Sequence, residues 1–363
     1  MNKFIYLDAA ATMQKSDRLI DAQAEFLREK YANSGRGVCA RVAAVDNMVN
    51  NTRRRVADFM NTDSDNIVFT AGTTDAINRI VNILKPTADT IVVVSDLDHH
   101  SARLPFQFSG AKMVVCPLDE NLCIDINQIP YADVFVVTAM SNVMGRAQNI
   151  PEIVRRAREK NPDVVIVVDA AQYVVHQKID VVAWDADFVV WSGHKIGADT
   201  GVGVMYIKNP SRFVSDKVGG GMVNTVSRDG VIHFVDGPER FEAGTLPLTQ
   251  IAGLPIAIDE IQNNRPNQDL IKYAYDEIKH IKRVKILTTR DACVLSFIID
   301  GMHVLDFGAV AGAHDICVRV GNMCASWIHK KLGVDGSIRV SVGACNTKDD
   351  IDAFVSLVRG CVK

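Results

Sequence analysis

The chain has 363 residues, 48% of them hydrophobic, with 40 basic and 43 acidic side chains and a net charge of −3. So even a balance excludes a strong single-sign field, and neither nucleic acid nor an anionic membrane is an expected partner. No apolar run approaches the length of a membrane span, and the stretch from Met1 to Asp8 lacks a signal-peptide core, so a cytoplasmic protein is expected.

Taken in chain order, apolar strand-like runs fall at 66–70, 90–95, 112–116, 133–138, 164–169, 187–191 and 202–207. Helical periodicity occupies 45–60, 75–84 and 150–160 between them. Near-continuous apolar strands alternating with amphipathic helices predict an α/β fold whose mostly parallel, seven-stranded sheet is covered on both faces. A long helix is expected over 248–262, and Asn263-Asn264-Arg265-Pro266-Asn267 then breaks the pattern. We place a domain boundary there, with a large domain over 1–264 and a small α+β domain over 265–363. The small domain should hold helices at 269–281, 304–313 and 348–358, strands near 284–288, 294–299 and 337–342, and a loop from Arg319 to Cys324.

The eight cysteines are scattered and form no Cys-x-x-Cys pair. A disulfide framework is not expected in a cytosolic chain of this size. Cys116, Cys293 and Cys317 lie in or beside apolar runs and are expected to be buried. Cys39, Cys345 and Cys361 are expected to be incidental.

Ligands of such sheets bind beyond the carboxyl ends of the strands. Asp169 ends one apolar run, and Lys195 follows the next in Trp191-Ser192-Gly193-His194-Lys195. A lysine can carry an aldehyde cofactor, and an aspartate at a buried strand end can keep a pyridinium nitrogen protonated. The pair therefore reads as a pyridoxal 5'-phosphate (PLP) site. Thr73 and Thr74 open a helix after Gly72, where free N–H groups suit a phosphate, and Ser192 and His194 can bind the same phosphate. His99 follows another strand end and can stack on a planar ring. Asn142 and Gln172 also follow strand ends and can hydrogen-bond a ring oxygen. Adjacent histidines such as His99 and His100 rarely chelate one ion, and with no third ligand no metal is expected.

Ten stretches occur in order along nearly the whole chain and resemble the class V, fold-type I PLP enzymes, in particular the NifS-like cysteine desulfurases. They include Tyr6-Leu7-Asp8-Ala9-Ala10-Ala11-Thr12, Asn33-Ser34-Gly35-Arg36-Gly37, Ser192-Gly193-His194-Lys195, Arg240-Phe241-Glu242-Ala243-Gly244-Thr245 and Arg319-Val320-Gly321-Asn322-Met323-Cys324-Ala325. The resemblance implies conversion of L-cysteine to L-alanine, with sulfur held as a persulfide on Cys324 and passed to a protein acceptor. It implies that Lys195 carries the cofactor, Asp169 pairs with its ring nitrogen and His99 stacks on the ring. Asn142 and Gln172 would face the ring oxygen, while Thr73, Ser192 and His194 hold the phosphate. Arg339 would bind the substrate carboxylate with Asn33 and Arg319 nearby. Thr245 matches a residue that reaches the phosphate of the other subunit, which implies a homodimer. Cys324 precedes a short expected helix and shares its loop with Arg319, both of which favour a thiolate.

The short segment from Cys324 to Arg339 and the pair His99-His100 place the chain nearer the SUF-type branch of iron–sulfur cluster assembly enzymes. Gly244-Thr245-Leu246-Pro247-Leu248-Thr249-Gln250 resembles the ISC-type branch instead. The nearest alternative reading is a selenocysteine lyase, cysteine-sulfinate lyase or other class V enzyme, in which Cys324 packs or gates. A non-catalytic scaffold for sulfur-transfer proteins is a further alternative, although it would need none of Lys195, Asp169 and Arg339.

Overall fold

The computed structural model describes residues 4–35 and 37–362. Arg36, part of one of the motifs above, lies outside the described residues. A seven-stranded sheet runs in the order Ile67–Thr70, Gly203–Ile207, Phe188–Ser192, Val165–Asp169, Val134–Thr138, Ile91–Val94, Lys112–Val115. All seven strands match apolar runs seen in the sequence. Their continuous apolarity has a direct cause, because helices cover both faces and the inner strands are buried along their whole length. Strand Gly203–Ile207 is antiparallel to both neighbours and the remaining pairs are parallel.

Register fixes what reaches the ligand edge. Thr138 pairs with Asp169, Asp169 with Val190, Ser192 with Gly203 and Gly203 with Thr70. The ends of five strands therefore lie side by side. Gly203 has to be glycine, because a Cβ there would sit 2.5 Å from the Gly72 Cα. Gly72, at φ 143°, turns the chain from strand Ile67–Thr70 into helix Thr73–Leu84.

Helices Ala40–Met60, Ile150–Lys160, Leu248–Asn263, Val304–Ala313 and Lys348–Cys361 lie where periodicity predicts them, the first with an earlier start. Several elements were not legible, among them three near the site. Helix Asp17–Glu25 escaped the pattern. Helix His100–Phe108 contains Pro105, which in sequence argues against a helix interior. Residues 319–321 form a strand, so the expected Arg319–Cys324 loop starts three residues later than its assigned beginning. Cys116 is buried as expected, but Cys293 is only half-buried and Cys317 is exposed. The cause is alternation in the strand Ile316–Cys317: Ile316 turns into the core, so Cys317 turns out.

A second sheet, antiparallel throughout, runs Val284–Ile286, Leu295–Ile299, Ser337–Val340, Arg319–Gly321. Its hydrophobic core is separate and is drawn from residues 270–358 together with Leu7. The N-terminal strand Ile5–Tyr6 pairs with Ile316–Cys317, so the first residues cross to the C-terminal core before entering the large one. No helix among the described residues is long and apolar enough to cross a membrane.

Two buried arginines fasten the segment that precedes Thr245. Arg53 donates to both Glu242 oxygens at 2.7 Å, and Glu242 also accepts from the Phe69 N–H at 2.6 Å. Arg79 binds Asp216 and the Phe241 carbonyl. Glu242→Ala would strand the Arg53 cation in the core and should cost about 3 kcal/mol or more of stability. Urea unfolding checks this, and a Glu242→Leu, Arg53→Met double variant should recover much of the loss.

Candidate active site

The ligand edge opens into a cavity of about 250 Å³, lined by Thr73, Thr74, His99, Asn142, Asp169, Gln172, Ser192, His194 and Lys195, together with Ser101, Thr138, Met140 and Ala171. Nine residues singled out in the sequence thus meet in one place. Lys195 sits in the single turn Gly193–Ile196 that follows strand Phe188–Ser192. Its Nζ donates to the carbonyls of Ala10 at 2.7 Å and Ala11 at 2.9 Å. Burial, then the charge of Arg339, lowers its pKa to about 8, against the opposing pull of Asp169 and Asp8.

Asp169 is buried, and its carboxylate accepts from the Ala171 N–H at 2.9 Å. Burial raises its pKa to about 6, and the Ala171 bond and the charge of Lys195 only partly offset this. His99 accepts from the Ser101 N–H at 3.1 Å through Nδ1. Burial, followed by the charge of Lys195, lowers its pKa to about 4. A ring that accepts at Nδ1 and stays neutral carries its proton on Nε2. His194 is likewise lowered to about 4 by burial and then by Lys195. Ser192 Oγ accepts from the Thr73 N–H at 2.8 Å and pairs with Thr73 Oγ1 at 2.9 Å, which ties the lysine turn to the helix start.

Among the described residues, three buried polar atoms of this cavity lack partners: Asn142 Oδ1, Gln172 Oε1 and His194 Nδ1. Buried polar groups are almost always satisfied, so these mark a surface shaped for a polar ligand.

The other expected site residues lie around this cavity or away from it. Arg339 is buried in strand Ser337–Val340, and its charge reaches both Lys195 and His99. It donates to the Asn142 carbonyl and to Asp8, each at 3.0 Å. Arg319 pairs with the same aspartate at 2.6 Å. Cys324 is exposed. Its carbonyl accepts from the His100 N–H at 2.7 Å, and Asn142 Nδ2 donates to the Met323 carbonyl at 2.9 Å, so His100 and the cavity residue Asn142 together hold the cysteine loop. Met323 and Cys324 both have left-handed backbones, at φ 52° and 54°, a conformation uncommon outside glycine. Asn33 and Thr245 line a different, more open cavity of about 660 Å³, with Asp46, Arg53, Glu239 and Glu242.

Sequence reasoning assigned no site role to Asp8, His100 or the Ala10 and Ala11 carbonyls. His100 packs edge-on to Trp327 at 5.1 Å and pairs with Ser326 at 3.0 Å. The available signal for Asp8 was an acidic residue inside an otherwise apolar start, Tyr6-Leu7-Asp8-Ala9-Ala10.

The aminotransferase class-V family matches residues 5–354, and the chain belongs to that family, whose members generally use PLP. Among its relatives, the cysteine desulfurase of Yersinia pseudotuberculosis is 33% identical, covering 97% of this chain and 92% of the relative. A solved cysteine desulfurase from Thermococcus onnurineus superposes with a TM-score of 0.93 at 30% identity, covering 99% of this chain and 95% of that one. The Escherichia coli cysteine desulfurase CsdA gives 0.90 at 29% identity, covering 98% and 94%.

A lysine with a pKa near 8 is about one-tenth neutral at pH 7 and about nine-tenths neutral at pH 9. Acylation of Lys195 in protein freed of small molecules, followed by peptide mapping, should therefore accelerate roughly ninefold between these values. An inflection near that of exposed lysines would contradict the burial argument.

Proposed function

We propose that this protein is a PLP-dependent L-cysteine desulfurase that transfers the sulfur of L-cysteine to Cys324 and then to a protein acceptor. The observation that carries the reading is the single cavity in which Lys195, Asp169, His99 and the Thr73–Ser192 pair converge. The residues present fit PLP. A flat ring bearing a ring N–H, a hydroxyl and a phosphate offers polar partners to the buried Asp169 carboxylate and to the unpaired atoms of Asn142, Gln172 and His194. When bound, PLP supplies an aldehyde for amine exchange and an electron sink for the substrate α-carbon.

In this reading Lys195 holds the cofactor and moves the α-proton. Its lowered pKa serves both tasks, because the neutral amine is the reactive form. Asp169 keeps the ring nitrogen protonated, and that cation in turn draws the buried carboxylate back to its charged form. His99 stays neutral and stacks. The start of helix Thr73–Leu84, with Thr73, Thr74, Ser192 and His194, takes the phosphate. Arg339 holds the substrate carboxylate. The Cys324 thiolate attacks the substrate sulfur. A sulfur–sulfur bond forms, the Cβ–S bond breaks with its electron pair left on carbon, and protonation of that carbon yields alanine.

The exposed Thr245 and Asn33 support a homodimer in which this face meets the partner's site. The two hydrophobic cores support a large domain over 1–264 and a small one over 265–363, with Leu7 joining the second core and Ala325 and Ile328 the first. The pair His99-His100 and the short Cys324–Arg339 segment favour the SUF-type branch, and a cytoplasmic setting is consistent with this.

Mass spectrometry after addition of L-cysteine should show a gain of one sulfur on Cys324. Cys324→Ser should lose sulfur release by at least about a hundredfold while the cofactor's near-visible absorbance remains. Undiminished sulfide and alanine from that variant would favour a lyase in which Cys324 only packs.

A further inference from the structure

Helix His100–Phe108 runs between the cofactor cavity and the cysteine loop. His99 lines the cavity and also caps this helix, its Nδ1 accepting from the Ser101 N–H. The His100 N–H donates to the Cys324 carbonyl at 2.7 Å. The His100 ring turns to the residues just past the cysteine. Its Nε2 pairs with Ser326 Oγ at 3.0 Å and accepts from the Ser326 N–H at 3.4 Å. Burial favours the neutral ring, the form that accepts at a ring nitrogen.

Arg103 lies one turn further along, and residues at that spacing share a helix face. Its guanidinium carbon stands 4.1 Å from the centre of the Trp327 ring, well inside the range of a cation–π contact. The His100 ring meets the same indole edge-on at 5.1 Å. One face of one helix thus holds Trp327 with two side chains. Arg103 keeps Nε and Nη1 buried without hydrogen-bond partners among the described residues, while Asp98 and Asp96 attract it only through space. Unpaired buried donors cost stability, and an aliphatic side chain would pack there without that cost. What the guanidinium adds is its hold on the indole.

That hold matters because of where the chain bends. Met323 and Cys324 both have left-handed backbones, and non-glycine residues keep that conformation only where their surroundings fix it. Ahead of the bend, Asn142 and the His100 N–H take two consecutive carbonyls, those of Met323 and Cys324. Beyond it, Ser326 and Trp327 are held by His100 and Arg103. The exposed thiol lies between the two attachments.

We infer that His100 and Arg103 are positioning residues for Cys324, clamping Ser326 and Trp327 so that the thiol is presented to the substrate sulfur in one orientation. The inference rests on the sulfur-transfer role proposed for Cys324. Both side chains act through the loop, so their loss should slow the step that uses the thiol and spare substrate binding.

The experiment makes three measurements on the loaded enzyme and on two variants. His100→Ala removes the ring and keeps the backbone donor, and Arg103→Met removes the cation and keeps the apolar stem. The first measurement is the single-turnover rate of sulfur gain on Cys324 after L-cysteine is added, read by mass spectrometry. It should fall by about tenfold or more in His100→Ala, the scale of a misplaced reacting group, and by about threefold or more in Arg103→Met. The second is affinity for L-alanine, read from perturbation of the bound cofactor's absorbance, which should stay within about twofold. The third is amide hydrogen exchange over 322–327, which should quicken by about threefold or more in both variants. Because the two side chains share Trp327, the double variant should lose less rate than the product of the single effects.

Unchanged exchange in both variants overturns the clamp. Faster exchange with an undiminished rate of sulfur gain overturns the positioning role. An equal loss of L-alanine affinity and of sulfur gain marks a general structural role and also overturns it, as does a double variant whose effects simply multiply. If His100→Ala fails to fold, Arg103→Met and Trp327→Leu decide by the same three measurements. Absence of sulfur on Cys324 in the unmodified enzyme would defeat the desulfurase reading itself, an outcome distinct from all of these.

Discussion

Three cations, Lys195, Arg319 and Arg339, lie within electrostatic reach of one another, opposed by two carboxylates, Asp8 and Asp169. The rest of the site follows from this charge balance. In a buried setting each added cation makes its neighbours harder to protonate. Lys195 is depressed for that reason as well as by burial, and the two imidazoles beside it stay neutral. The protein thus keeps an amine reactive near neutral pH without a dedicated base next to it.

Backbone geometry delivers these charges. Strand register sets Asp169 beside Thr138, and the turn after Ser192 swings Lys195 back over the same edge. The N-terminal segment then closes the site from the other side. Its carbonyls at Ala10 and Ala11 take the lysine, the Ala10 carbonyl also accepts from Gln172, and Asp8 takes the arginines. The cysteine loop is tied to the same frame through His100 and Asn142.

Much of this was legible in the sequence, for physical reasons. Fully buried strands must be apolar along their whole length, so their ends, and with them Asp169, Asn142, Gln172 and Lys195, could be located by the switch to polar residues. Helix Val304–Ala313 was placed to the residue. What local pattern could not carry is contact across the chain. Asp8 meets Arg339 across 331 positions, and nothing in its neighbourhood advertises the partner. Helix His100–Phe108, which supplies the grip on the cysteine loop, was hidden by Pro105. Cys317 looked like a core residue because a two-residue strand is too short to show alternation.

The crossing of strand Ile5–Tyr6 to pair with Ile316–Cys317 has a consequence in time as well as in space. The ribosome makes Leu7, Asp8 and Ala10 long before their partners Arg319, Arg339 and Ser341. Contacts of such sequence separation form late. The large sheet can assemble during synthesis, but the assembled charge network has to wait for the C-terminal strands. A nascent chain would therefore hold a lysine that is not yet tuned, and reactivity would appear only once these two distant segments have met.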